Sequence, residues 1–146
     1  MKSYLLIICQ LMMLMPSSLF AAGLESGIVS PVSANAKVWI ESPKDGQRVS
    51  SPVSLSFASS DVNISPAGTE IPNSGHHHLL INLQALPVMD MPLPANAQII
   101  HFGKGQTETR LELEPGVYSL QLLLGNHLHV PHARPVMSEK ITITVE

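Results

Sequence analysis

The 146-residue chain carries 8 basic and 11 acidic residues with 7 histidines, for a formal charge of -3. That balance excludes nucleic-acid binding driven by bulk charge, and the length suits one domain with a real core. A single cysteine, Cys9, excludes an internal disulfide framework.

The first residues read as a leader. Lys2 is followed by an apolar run from Tyr4 to Met15 interrupted only by Gln10, then by Pro16-Ser17-Ser18 and the small pair Ala21-Ala22. This is the three-part layout of a secretory signal, and the run is shorter than the ~20 residues that cross a bilayer. Residues 1–22 are therefore expected to be a Sec-type signal peptide cleaved near Ala21 or Ala22. Ile7 and Ile8 ahead of Cys9 argue against a lipid anchor at that cysteine. The expected location is periplasmic or secreted, without stable membrane insertion after cleavage. Cleavage removes Cys9 and Lys2 but no acid and no histidine, so the mature chain has no thiol and a charge of about -4.

Residues 23–36 are small, polar and Pro-interrupted, and predict a flexible lead-in. From Lys37 to the end, short alternating runs are separated by turn residues, the pattern of an all-β domain. Seven strands are predicted: Lys37 to Glu41, Val53 to Ala58, His77 to Gln84, Gln98 to Phe102, Thr107 to Glu112, Val117 to Leu124, and a last one carrying Ile141, Ile143 and Val145. Turns at Ser42 to Gly46, Gly103-Lys104-Gly105 and Pro115-Gly116 punctuate them. The stretch from Ala85 to Ala97, with Pro87, Pro92 and Pro94, reads as an extended crossing. Seven strands over residues 37–146 predict an immunoglobulin-like sandwich. Tyr118, just past Pro115-Gly116, is placed either to close a tyrosine corner or to pack in the core.

The histidines fall in three groups: His76-His77-His78, His101, and His127, His129 and His132. With the strands lettered A to G, these groups lie on the B–C, D–E and F–G connections, which a sandwich of alternating strands gathers at one rim. Alternation puts His77 in phase with the core-facing Leu79 and Ile81, and His76 and His78 on the opposite face. Neutral imidazole is the commonest metal ligand, and nitrogen-rich sites without thiolate suit copper(II), zinc or nickel. The predicted metal ligands are drawn from His76, His77, His78, His101, His129 and His132, with copper or zinc as the ion. Met89 and Met91 offer thioethers, but methionines between prolines more often cover apolar surface.

Several segments resemble an uncharacterised bacterial family, domain of unknown function 4399. They are Ser65 to Thr69, Gly75 to Ile81, His101 to Thr107, Leu120-Gln121-Leu122, His129-Val130-Pro131-His132 and Ser138 to Thr142. The family pattern includes the triplet, His101, His129 and His132 but not His127, and Ala133-Arg134-Pro135 departs from its usual acidic, proline-rich continuation. The resemblance implies an exported domain and supplies no activity.

No enzyme is expected. There is no Gly-x-Ser-x-Gly elbow, no mature cysteine and no glutamate after the histidine pairs in the manner of a cupin. Besides the metal-binding reading, the residues allow a pH-responsive interaction or structural module of the cell envelope with a protein partner. Seven histidines titrating near their ordinary pKa of about 6.5 would swing its charge on mild acidification.

Overall fold

Alternating side chains choose the fold, because a period of two puts one set of residues on a buried face. The computed structural model describes residues 27–146; the leader expected at 1–22 and the first part of the lead-in lie outside the described residues. Nine strands and no helix form among the described residues. They are β1 (Lys37–Ser42), β2 (Arg48–Val49), β3 (Val53–Ser60), β4 (Asn63–Ile64), β5 (Ser74–Ile81), β6 (Ile99–His101), β7 (Glu108–Leu111), β8 (Gly116–Gly125) and β9 (Ile141–Val145).

Two sheets result. The smaller has the antiparallel order β1-β3-β7. The larger has the order β2-β9-β8-β5-β4, with β6 pairing antiparallel to β5 beside β4. Val38, Ile40, Val53, Leu55 and Phe57 of the smaller sheet meet Leu79, Leu120, Leu122, Leu124 and Ile143 of the larger. A second apolar cluster forms on the outer face of the larger sheet. There Leu80, Ile99 and Leu123 lie under Leu93, with Met89 packed against them. The proline-bearing connection 82–98 thus covers that face. As a consequence β5 is buried at all eight positions.

The seven predicted strands are present with shifted ends, and two short strands are added between them. Both additions pair in parallel, β2 with β9 and β4 with β5. Two-residue strands carry no period to read, which is why alternation passes over them. β5 begins at Ser74 rather than His77, because the histidines sit inside the strand. It stops at Asn82, whose φ of 53° is left-handed and whose Oδ1 accepts the Ser119 N–H at 2.8 Å.

The expected flexible lead-in is tied down from Ile28 onward. Ser30 O accepts the Ala133 N–H at 3.1 Å, and Arg134 donates to Ser33 O at 2.7 Å. Among the described residues no helix is long and apolar enough to cross a membrane.

Tyr118 fills both predicted roles. It packs against the core, and its hydroxyl donates to Glu114 O at 2.9 Å. Tyr118→Phe is expected to lower unfolding stability by about 1 kcal/mol, and Leu122→Ala, emptying a fully buried site, by about 2–5 kcal/mol. Urea titration checks both; a Tyr118→Phe midpoint equal to wild type would show that the hydroxyl contributes nothing.

Candidate metal centre

Strand register assembles the site. His76 and His78 share the outer face of β5, two residues apart. Across one edge His78 pairs with His101 of β6, and across the other His76 pairs with Gly125 of β8. Directly opposed residues of antiparallel strands bring their side chains together, so the His78 and His101 rings stack with centroids 5.1 Å apart. Two glycines leave the space these rings occupy. A Cβ on Gly103 would fall 2.2 Å from His101 Cε1, and one on Gly125 would fall 2.7 Å from His78 Cε1.

His129 completes the group from the tight loop after β8. Gly125 and Pro131 bridge its base, and the Asn126 N–H donates to Val130 O at 2.8 Å. Asn126 is buried and organises the whole turn. Its Oδ1 accepts the Leu128 and Val130 N–H groups at 2.9 and 3.1 Å, and its Nδ2 donates to Ile28 O and Ser30 Oγ at 2.7 and 3.0 Å. Within this frame His129 adopts a left-handed φ of 66°, with its carbonyl accepting the Leu93 N–H at 3.0 Å. Such a conformation costs on the order of 1 kcal/mol and persists only where the surroundings enforce it.

The four ring nitrogens offered by His76, His78, His101 and His129 all lie within 4.8 Å of one another. His76 Nε2 and His129 Nδ1 are 3.0 Å apart. A tetrahedral ion with bonds of about 2.0–2.1 Å would need nitrogens roughly 3.3 Å apart, so closing the set takes ring movements of about 1 Å. The donor set also fits an ion chemically. His76 Nδ1, both nitrogens of His78 and His101 Nε2 are buried without a hydrogen-bond partner, although a buried polar group normally has one. Each such orphan costs about 1–3 kcal/mol. A cation accepting one lone pair from each ring would remove part of that penalty, since the second nitrogen of a neutral imidazole is an N–H donor.

The electrostatics agree. Burial, then the neighbouring His101, His129, His77 and His132, pushes the His76 pKa down to about 3. Burial, followed by His76, His101 and His129, lowers His78 to about 3. Burial alone lowers His77 to about 4, and burial and His129 lower His101. Imidazoles held neutral keep their lone pairs free for a metal.

Not every predicted ligand joins the group. His77 points between the sheets, 5.3 Å from the Phe57 ring, with both nitrogens unpartnered. His132 stands apart from the four with its Nδ1 3.3 Å from Ser30 O and its pKa lowered mainly by burial. His127, not among the predicted ligands, lies elsewhere, its carbonyl accepting the Gly68 N–H. The expected rim of B–C, D–E and F–G loops is likewise corrected. The cluster lies on the outer face of the larger sheet, because His76 and His78 belong to the strand itself and the loop after β8 folds back over that face. Asn126, Gly103 and Gly125 read in sequence only as turn residues; the one signal for Asn126 is asparagine's capacity to bond backbone groups two residues on.

The family model described as "Domain of unknown function (DUF4399)" matches residues 55–146, a span that contains all four clustered histidines. No curated protein and no solved structure is significantly similar to the chain.

The lowered pKa values fix a pH dependence. A histidine whose pKa is lower folded than unfolded contributes its full stability above the unfolded value of about 6.5 and loses it as pH falls towards the folded value. For His76, His77 and His78 that window runs from about 6.5 down to 4 and below. Once all three titrate in the unfolded chain, stability should fall by up to about 4 kcal/mol per pH unit. Urea midpoints of the metal-free protein between pH 7 and 4.5 measure this; a flat profile would contradict it.

Proposed function

The chain belongs to this family of unknown function, and we propose from its site that it is an exported, non-enzymatic domain that binds copper or zinc through His76, His78, His101 and His129. The observation that carries the reading is the convergence of four buried or half-buried imidazoles within 4.8 Å, several with nitrogens lacking any other partner. A nitrogen-only set without thiolate suits copper(II) and zinc. Four protein ligands fill a tetrahedral shell, whereas catalytic zinc sites keep one position open. That supports binding over catalysis. Export is supported by the leader pattern at 1–22. The β1-β3-β7 sheet facing β9-β8-β5-β6, with the Tyr118 bond near the start of β8, supports an immunoglobulin-like reading of the sandwich.

The rival pH-responsive envelope module draws less support. It needs histidines that gain charge on mild acidification, yet burial holds His76, His77, His78, His101 and His132 below their ordinary pKa.

Titration of copper(II) and zinc into untagged protein by calorimetry is expected to show one equivalent bound. Protons should compete little at His76 and His78 between pH 7.5 and 6, because burial holds both neutral there. A His101→Ala, His129→Ala double variant should lose the binding. No wild-type binding tighter than about 10 micromolar, near 7 kcal/mol, would sink the reading.

A further inference from the structure

The four imidazoles are not equivalent. His76 and His78 are 0% and 1% exposed and stand on β5, between β8 on one side and β4 and β6 on the other. His101 is half-buried, but it pairs in register with His78 and its ring lies over Gly103. Moving any of these three disturbs a sheet. His129 is also half-buried, yet it stands on the tight loop 126–130. Its left-handed backbone is held through a turn built around one side chain, Asn126, whose contacts beyond the loop are Ile28 O and Ser30 Oγ. The loop backbone is tied as well, by the Leu93 N–H to His129 O, the Gly68 N–H to His127 O and the fully buried Val130, so the His129 ring leaves by rotating about its own side-chain bonds while every strand stays paired.

Resting on the metal-binding reading, we propose that the centre is built to hand its ion over, with His76, His78 and His101 as the fixed part and His129 as the ligand that leaves. An acceptor bearing nitrogen or carboxylate donors approaches from the half-exposed side. One donor–metal bond forms as the bond from the His129 ring nitrogen breaks. The imidazole departs neutral with its electron pair, and the oxidation state of the metal does not change. The cargo is a transferable divalent transition-metal ion, and its release is set by the Asn126 turn.

The test follows transfer of one equivalent of copper(II) or zinc from the purified protein to EDTA at pH 7.5 by stopped flow. The wild-type rate should rise in proportion to EDTA concentration. His129→Ala should still bind one equivalent, about 100-fold more weakly, and release it at least about 10-fold faster. Its copper(II) form should also take up azide at the opened position with a change in the visible spectrum. Asn126→Ala, which keeps all four ligands, should transfer faster than wild type. His78→Ala should lose stoichiometric binding, with His76→Gln as the substitute if that variant does not fold. A wild-type rate independent of EDTA concentration, or equal losses of affinity in His129→Ala and His78→Ala, would overturn the proposal alone. Failure of the wild type to bind either metal would remove the parent reading as well.

Discussion

The structure depends on keeping uncharged imidazoles inside a strand that is buried on both faces. Placing His76, His77 and His78 on β5 removes three titratable groups from water, and nearly all their ring nitrogens have no protein hydrogen bond. Burial of that kind normally selects apolar residues. The neighbourhood is arranged around this anomaly. Gly103 and Gly125 lack side chains where rings lie, and the 82–98 connection covers the outer face with Leu93. The loop at Asn126 turns a fourth imidazole towards the first two. An apolar core alone requires neither the two glycines nor the turned loop.

The two populations of buried residue do opposite work. Leu79, Leu122 and Ile143 bury apolar surface between the sheets and contribute stability that hardly depends on pH. The histidines of β5 subtract from it while they lack a partner. A ligand that binds only the folded state returns free energy that grows with its concentration over its dissociation constant. In this domain the metal would therefore act on stability through the residues that weaken the metal-free fold.

What the sequence makes legible follows from how local each determinant is. Alternation separates His77 from His76 and His78, because facing is decided within three residues of one strand. The same reasoning places Ile141, Ile143 and Val145 in β9. It does not reveal that the outer face of the larger sheet is covered, since that depends on Leu93, Ile99 and Leu123 meeting from three separate segments. Without that cover, the natural place for converging histidines is the loop rim. His101 is recognisable as a ligand type, but its partner becomes known only through the β5–β6 register. His132 resembles His129 in sequence context, and three positions along an irregular loop are enough to turn its ring to Ser30 instead.

Burial also decides which competitor matters at the centre. On an exposed histidine cluster, protons and metal compete directly as pH falls below about 6.5. Here His76 and His78 are held neutral far below that, so mild acid leaves their donors intact. The proton acts instead on the unfolded chain, where the same residues regain their ordinary basicity. Acid would thus empty the centre by unfolding the domain rather than by titrating its inner ligands in place. On the metal-binding reading, exchange under native conditions would be left to the half-exposed side, where His129 stands on a turn and not on a strand.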